Sequence, residues 1–232
     1  SRMRIHWHRR DLRTTDNAGL AAATADSPVV PVFVFDDAVL DHAAPPRVAF
    51  MLDALDSLRA QYRDRGSDLV IARGDPTAEI PRLAEAFGAD GVTWGEAYSG
   101  LGIERDIAVR QALDDAGVER EAVTDSVLHR PGEITTNDGD PYSVFTYFGR
   151  KWHDREKDEP YDAPSPDELA DVSGDPLPSI DDLGFEEPQA EIPPAGTEPA
   201  RALLDAFCED DIYRYEGRRD YPADDCTSRL SA

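Results

Sequence analysis

Lysine is almost absent from this chain of 232 residues, because Lys151 and Lys157 are the only two among 24 lysine and arginine residues. Aspartate and glutamate together number 48, which gives a formal net charge of −24. This charge argues against a general binder of nucleic acid or anionic membranes, although it leaves room for a local basic patch. An acidic, lysine-poor chain is typical of a salt-loving cytoplasm, where molar salt screens repulsion beyond about 3 Å. An ordinary acidic protein with a disordered tail is the alternative.

Cysteine and long apolar runs are scarce as well. Cys208 and Cys226 form no CxxC pair, which argues against a disulfide framework or a structural zinc site. No apolar run approaches the roughly 18 residues that a bilayer needs, and no signal peptide precedes the first predicted strand. We therefore expect a cytoplasmic protein without a membrane segment. The chain is nevertheless 40% hydrophobic, which is enough for a sizeable core.

Short apolar runs alternate with longer periodic ones. They predict strands over 4–7, 29–35, 69–72, 91–94 and 122–124, and helices over 17–25, 47–65, 76–87 and 103–116. This order predicts an α/β fold with a Rossmann-like, doubly wound parallel sheet of about five strands. Pro31 inside the second strand indicates the start of the strand or an irregularity. Ligands of such sheets bind beyond the carboxyl ends of the strands, near the point where strand order reverses.

The composition predicts three regions: the α/β domain over 3–130, a connecting region over 131–196, and the beginning of an all-helical domain over 197–232. The connecting region holds an aromatic helix over 142–153, whose stripe favours a place in the core. From Asp158 to Pro199 there are nine of the eighteen prolines, thirteen acids and no basic residue. We expect this linker to bury nothing of itself and to wrap a surface between two domains.

A cluster of charges follows the first strand, where Arg9, Arg10, Asp11 and Arg13 fall within five residues. The glycine-rich turn of a dinucleotide site is missing there, and Walker loops and nucleophile elbows are missing throughout. One interpretation is a loop in which Asp11 forms a salt bridge with Arg9 or Arg13. The other is that the charges line a binding site.

A second constellation lies at the other end, where Thr227, Ser228 and Ser231 surround Arg229 and Leu230. At the start of a helix these hydroxyls, together with free backbone N–H groups, suit a phosphate. An ordinary helix cap is the alternative.

Together the two stretches resemble the photolyase and cryptochrome family. Trp7 to Asn17 reads W-x-R-R-D-L-R-x-x-D-N, and Tyr215 to Ser231 reads Y-x-x-x-R-D-x-P-x-x-x-x-T-S-x-L-S, about 200 residues later. The resemblance implies an antenna domain followed by the start of an FAD-binding domain. It implies a monomeric flavoprotein that uses light to split cyclobutane pyrimidine dimers in damaged DNA, by electron transfer from reduced FAD. A cryptochrome photoreceptor without repair activity and a free-standing nucleotide-binding α/β domain are the alternatives.

The resemblance also implies roles for individual residues. The positions that match the family's FAD phosphate and ribitol contacts are Tyr215, Thr227, Ser228, Arg229, Leu230 and Ser231. Arg219 matches an arginine near the DNA-binding face, and a pair with Asp220 is the alternative. No catalytic side chain and no metal ligand is expected. The rest of the FAD domain and the dimer pocket are absent, so we expect a fragment that is inactive alone and contacts DNA through the missing half.

The antenna chromophore is less clearly marked. Folate-type members carry an Asn-Glu pair ahead of the fourth helix, and this pair is missing from residues 99–106. The resemblance therefore favours 8-hydroxy-5-deazaflavin over methenyltetrahydrofolate. The candidate residues for this chromophore are Arg9, Phe35, Asp36, Arg47 and Met51.

Overall fold

A computed structural model of the chain describes residues 2–25, 28–98 and 100–230. Its centre is a sheet of five parallel strands in the order β3-β2-β1-β4-β5. The strands are β1 Arg4–His8, β2 Val29–Phe35, β3 Val70–Arg73, β4 Gly91–Gly95 and β5 Glu119–Val123. The α/β prediction is confirmed, and strand order reverses between β1 and β4.

Eight α-helices are described in the same parts of the chain. They are α1 Ala18–Thr24, α2 Asp37–Leu40, α3 Pro45–Arg63, α4 Pro76–Phe87, α5 Gly100–Asp115, α6 Phe145–Asp154, α7 Thr197–Ala206 and α8 Ile212–Arg218. A π-helical turn, Phe207–Asp211, joins α7 to α8, and short 3₁₀ turns cover Pro166–Glu168 and Pro222–Asp224. No helix in the described ranges is both long and apolar enough to cross a bilayer.

Local chemistry sets the ends of α4. The carboxylate of Asp75 accepts a hydrogen bond of 2.8 Å from the N–H of Thr77, and Pro76 occupies the first turn. Gly88 ends the helix in the left-handed conformation at φ 61°, which glycine adopts without a Cβ penalty. The predicted bounds of this helix are therefore confirmed at both ends.

Pro31 lies inside β2 without breaking the sheet. The carbonyl of Val29, two residues earlier and on the same side of the strand, accepts a hydrogen bond from the N–H of Ala170. On that side β3 joins β2 only from the Val32–Val70 pair onward. The missing N–H of proline therefore falls in the gap between these two partners, where no ladder bond is lost.

The two faces of β1 serve different purposes, because successive side chains of a strand point to opposite sides. Ile5 and Trp7 join the apolar core beneath α4 and α5. Other large members of this core are Ile80, Leu83, Val92, Trp94, Val109 and Leu113. His6 and His8 lie on the opposite face, where His8 contacts Tyr62 of α3.

The described chain divides into two compact units. One contains the residues up to His42 together with Arg59–Pro176, and it includes the whole sheet. The other contains Ala43–Leu58 and the residues from Leu177 onward.

Part of the acidic linker packs against the sheet. Leu169 and Ala170 are buried, with 7% and 5% of their surface exposed, and the N–H of Ala170 donates to the Val29 carbonyl over 2.9 Å. The hydroxyl of Ser67 donates to the carbonyl of Ala170 over 2.7 Å. The expectation that residues 158–199 bury nothing is therefore wrong for this stretch, because its backbone groups find partners on the sheet.

Gly174 completes this docking. Its N–H donates to Asp68 over 3.1 Å, and its carbonyl accepts from Arg59 over 2.8 Å. A Cβ at this position would lie 2.3 Å from the carbonyl oxygen of Leu69. The close approach of two backbones therefore requires glycine.

Candidate chromophore and flavin sites

Arg9 occupies the crevice where strand order reverses. Its guanidinium donates to the Asp106 carboxylate and to the carbonyl of Gly95, and it lies 4.9 Å from the ring centre of Trp7. Asp106, on the first turns of α5, also accepts a 3.0 Å hydrogen bond from the N–H of Ala97. Arg9 thus lies at the edge of the sheet where a ligand is predicted to bind, but its N–H donors already bind protein groups.

Asp36 and Arg105 form a second polar pair, at the carboxyl end of β2. Asp36 caps α2 through a 2.9 Å bond from the N–H of Ala38, and its Oδ2 lies 2.6 Å from Nη2 of Arg105. Their side chains are only 10% and 14% exposed, respectively. Phe35 is 1% exposed and packs edge-to-face on Phe33, as expected of a core residue. Sequence reasoning missed Arg105, although its place in the first turns after β4 is a usable signal.

The other two antenna candidates lie in α3. Arg47 is exposed and Met51 is half-buried. Both belong to the compact unit that contains Ala43–Leu58, whereas Arg9, Phe35 and Asp36 belong to the unit that contains the sheet.

Glu96, directly after β4, is a further polar centre that the sequence did not reveal. Its Oε1 accepts from Arg110 over 3.3 Å and from Arg130 at shorter range. The side chain of Glu96 is 9% exposed. Burial, together with the Glu96 carboxylate, raises the pKa of the Tyr98 hydroxyl.

The predicted flavin segment is largely exposed. Tyr215 on α8 is 40% exposed and contacts Phe207 edge-to-face at 6.0 Å. Thr227 is exposed and Ser228 is half-buried. Leu230 is 45% exposed, and its N–H lies 3.5 Å from the Ser228 hydroxyl.

The structure does not show the helix start that the hydroxyl pattern predicts. The described residues 227–230 contain only a bend and a turn, and Ser231 lies outside the described residues. Arg229 has a φ of 56° and pairs with Asp225, its Nη2 lying 2.5 Å from Oδ1. The charge of Arg229 is therefore matched locally.

Arg219, the candidate DNA contact, is exposed just after α8. Within the described ranges it forms no ion pair with Asp220. The neighbouring Arg218 instead binds Asp211 over 3.1 Å and Asp224 over 3.4 Å. Of the two neighbouring arginines, Arg218 and Arg219, it is therefore Arg219 whose charge can meet a ligand.

Asp11 is not the member of an arginine salt bridge that the loop interpretation predicts. Its carboxylate accepts from the backbone N–H of Arg9 over 2.9 Å and from the Asn17 side chain over 3.0 Å. Arg13 pairs with Asp125 over 2.9 Å instead. Asp11 is held by backbone and amide donors because it turns inward under β1, so the loop interpretation is wrong for this residue.

His6 and His8 surround this carboxylate, and both histidines are fully buried. Burial and the adjacent His6 ring lower the pKa of His8 to about 3. Burial alone raises the pKa of Asp11, but the His6 and His8 rings and the N–H of Arg9 outweigh it and hold that pKa below its ordinary value. The chain therefore places the neutral imidazole of His8 next to the Asp11 carboxylate inside the sheet unit.

A family model described as DNA photolyase matches residues 4–167. This chain belongs to the DNA photolyase family. The deoxyribodipyrimidine photo-lyase of Halobacterium salinarum is 58% identical over 99% of this chain and 51% of its own length. The chain spans about half the length of that photolyase, and the acidic composition fits a relative from a halophile.

Solved photolyase structures have the same fold. A class III photolyase from Agrobacterium tumefaciens superposes with a TM-score of 0.87 at 28% identity, over 100% of this chain and 49% of its own. An archaeal photolyase from Sulfolobus tokodaii, solved with two FAD molecules, gives a TM-score of 0.79 at 27% identity, over 99% of this chain and 50% of its own. The chain therefore corresponds to the photolyase amino-terminal domain, which confirms the resemblance drawn from the two motifs.

In this photolyase domain Gly19 of α1 leaves room for the buried histidines. A Cβ on Gly19 would lie 2.9 Å from Cε1 of His6 and 3.3 Å from the carbonyl carbon of Trp94. Overpacking costs about 1–3 kcal/mol, whereas alanine gains at most about 1 kcal/mol of helix propensity. We therefore expect Gly19→Ala to lower the free energy of unfolding, measured by urea denaturation followed by tryptophan fluorescence.

Gly149 of α6 is the matched control. A Cβ there would meet only Phe145, at an ordinary 3.5 Å. Gly149→Ala should therefore keep or raise stability. A Gly19→Ala protein as stable as Gly149→Ala would contradict the close packing against His6.

Proposed function

We propose that this chain is the antenna half of a deoxyribodipyrimidine photolyase that repairs cyclobutane pyrimidine dimers in DNA with light. The proposal rests on the 58% identity to the Halobacterium salinarum photolyase across almost the whole chain. In this role the domain would hold the light-harvesting chromophore, and FAD bound by the whole protein would supply the electron that splits the dimer. Energy transfer depends on chromophore distance and orientation, so this half needs no reactive side chain. We infer a monomer that acts in the cytoplasm.

The chromophore we propose is 8-hydroxy-5-deazaflavin rather than methenyltetrahydrofolate. The choice over the folate rests on the missing Asn-Glu pair at residues 99–106. The Asp36–Arg105 pair is compatible with it, because a carboxylate and a guanidinium suit the N–H and carbonyl groups of a deazaflavin ring. Nη2 of Arg105 carries two N–H groups, and the pair with Asp36 occupies one of them, so the other can meet a ligand. Arg9 and Phe35, which belong to the same unit as this pair, are the other proposed contacts, and Arg47 and Met51 stay predictions from the resemblance.

FAD is the redox cofactor we propose, and it supplies the electron when bound. The donor set of the segment from Tyr215 to Ser231 fits a pyrophosphate, because Thr227 and Ser228 bring hydroxyl donors to an exposed turn. Arg229 contributes its backbone N–H, since its side chain pairs with Asp225. Arg219, exposed nearby, is proposed to contact a phosphate of damaged DNA.

Reconstitution tests the antenna proposal. Protein incubated with 8-hydroxy-5-deazaflavin should retain the chromophore through gel filtration, whereas methenyltetrahydrofolate should separate from the protein. Arg105→Gln should weaken binding of the deazaflavin about tenfold or more, because a charged hydrogen bond contributes about 1.5–3 kcal/mol. Absorbance of the protein peak measures both results.

Arg82→Gln is the matched control, since Arg82 forms an exposed pair with Glu79 within α4. It should leave chromophore binding unchanged. Retention of the folate instead, or an equal loss in both arginine variants, would overturn the deazaflavin assignment.

Repair itself is tested after joining this chain to the second half of the Halobacterium salinarum relative. The joined protein should bind flavin and reduce the cyclobutane dimer content of ultraviolet-damaged DNA under blue light. Flavin binding without dimer loss in light would favour a photoreceptor. A joined protein that binds no flavin would contradict both the photolyase and the photoreceptor function.

Salt dependence is a separate expectation that follows from the net charge of −24. Molar salt screens the repulsion between carboxylates that lie more than about 3 Å apart. The melting temperature should therefore rise as KCl increases from about 0.1 M to molar concentrations. Thermal denaturation followed by circular dichroism measures it. A melting temperature indifferent to KCl would contradict adaptation to a salty cytoplasm.

A further inference from the structure

Three potential metal ligands converge beneath the end of β1, and the proposed light-harvesting role uses none of them. Nε2 of His6 lies 3.4 Å from Oδ2 of Asp11, and Nδ1 of His8 lies 3.8 Å from the same oxygen. One ligand atom from each of the three side chains lies within 4.8 Å of the others.

Hydrogen bonding fixes the orientation of His6. The Thr93 hydroxyl lies 2.8 Å from the carbonyl of Gly19, to which it donates its proton. Thr93 must therefore accept from Nδ1 of His6, 2.9 Å away. When the His6 ring is neutral, Nε2 therefore carries a lone pair. This nitrogen is fully buried and has no hydrogen-bond partner among the described residues.

This lone pair faces the carboxylate of Asp11. Two electron-rich atoms at 3.4 Å inside a protein repel each other unless a cation or a proton lies between them. Oδ2 of Asp11 is already held by the side-chain amide of Asn17, and Oδ1 by the N–H of Arg9. The carboxylate is thereby fixed towards the histidines, and its 11% exposure provides a path from solvent.

His8 can present its own lone pair to the same space. Its Nε2 lies 2.6 Å from the Tyr62 hydroxyl, which can either donate or accept. In this structure Nδ1 lies 3.0 Å from the carbonyl oxygen of Asp11, which can only accept, so Nδ1 donates there. A metal ion at Nδ1 therefore requires the ring proton to shift to Nε2, where the Tyr62 hydroxyl accepts it. Thr93 and Tyr62 then orient the two rings from behind, as outer partners do around metal-bound histidines.

We propose that His6, His8 and Asp11 bind one divalent transition-metal ion, of which Zn²⁺ is the best match. Imidazole nitrogen and carboxylate oxygen bind zinc at about 2.0–2.2 Å, which separates tetrahedral ligands by about 3.4 Å. The distances of 3.4 Å and 3.8 Å to Oδ2 of Asp11 are close to this separation, and the three ligand atoms, which lie within 4.8 Å of one another, reach it by an inward movement of His8. The carbonyl oxygen of Asp11, 3.0 Å from Nδ1 of His8, or a water completes the coordination.

Cobalt titration of the full chain, freed of metal with a chelator, tests this site. Co²⁺ should bind at one ion per chain with the visible absorption of a four-coordinate site, and Zn²⁺ should displace it. His6→Asn keeps an amide donor for Thr93 but removes the ligand nitrogen. It should weaken Co²⁺ binding by about 100-fold or more.

A triple variant, His42→Gln, His129→Gln and His153→Gln, is the control, because it removes the other three histidines of the chain. It should bind Co²⁺ like the original protein. Absence of bound Co²⁺ in the original protein, or unchanged binding in a folded His6→Asn protein, would overturn the proposal.

Nitrogen NMR of the unmodified chain keeps the proposal testable if His6→Asn does not fold. Zn²⁺ should shift Nε2 of His6 and Nδ1 of His8 and leave the other imidazoles unchanged. A proton on Nε2 of His6 that persists in excess Zn²⁺ would show a plain imidazolium–carboxylate pair and overturn the metal site.

Discussion

Replacing Asp68 by alanine is expected to lower the free energy of unfolding by about 3–5 kcal/mol. Arg59 binds this carboxylate through two hydrogen bonds, of 2.8 Å and 3.1 Å, and the side chains of Arg59 and Asp68 are only 5% and 7% exposed. Alanine leaves the guanidinium buried without its counter-charge, and it also removes the acceptor of the Gly174 N–H. Urea denaturation measured by circular dichroism tests this value.

The same carboxylate sets an acid limit. Burial opposes ionisation of Asp68, but Arg59 and the N–H of Gly174 outweigh it and lower the pKa of Asp68 to about 2. Because the folded pKa is lower than the unfolded one, this stabilisation is present above about pH 3.8 and is lost as pH falls towards 2. Asp68→Asn should remove this acid-dependent loss of stability.

Asp114 provides the control for both measurements. It pairs with Arg120 on the surface over 2.7 Å, where solvent weakens the interaction. Asp114→Ala should leave stability nearly unchanged. Similar losses for Asp114→Ala and Asp68→Ala would contradict the importance of the buried pair.

Replacing Thr227 and Ser228 together by alanine is expected to weaken FAD binding by about 3 kcal/mol or more, which is at least about 100-fold. Each hydroxyl is proposed to donate to a charged phosphate, and such a bond contributes about 1.5–3 kcal/mol. Equilibrium dialysis, with flavin fluorescence as the readout, measures the change in the protein joined to the second half of the Halobacterium salinarum relative.

Thr24→Ala is the control for the flavin variant. The Thr24 hydroxyl donates to the carbonyl of Ala21 within its own turn of helix, far along the chain from the flavin segment. FAD occupancy should not change in this protein. Unchanged occupancy in the double variant as well would count against a phosphate role for Thr227 and Ser228.

Features that depend on neighbouring residues were predictable from the sequence. The α4 helix was placed at both ends because Asp75, Pro76 and Gly88 act locally. The β5 strand was predicted too late, from residue 122, because its first residues, Glu119 to Glu121, are exposed and polar at the edge of the sheet. An edge strand with one open side lacks the apolar run that marks a buried strand.

Features made by distant contacts were not predictable. Leu169 pairs with Val29, and Arg105 meets Asp36, although nothing in their local sequence indicates these partners. The burial of the Asp11 side chain was not predictable either. A charged residue in a loop is expected to face solvent, and the donor that holds Asp11 inside, Asn17, is known only from the structure. The role of Arg219 at DNA stays a prediction.

The Leu169–Val29 contact has a consequence for how the chain matures. Leu169 follows Val29 by 140 positions, so β2 is synthesised long before the residue that pairs with it. Contacts of such long sequence separation slow folding, because a large loop closes before they form. During synthesis on the ribosome, the nascent sheet should therefore remain protease-sensitive until Gly174 has left the exit tunnel, well after the last strand has emerged.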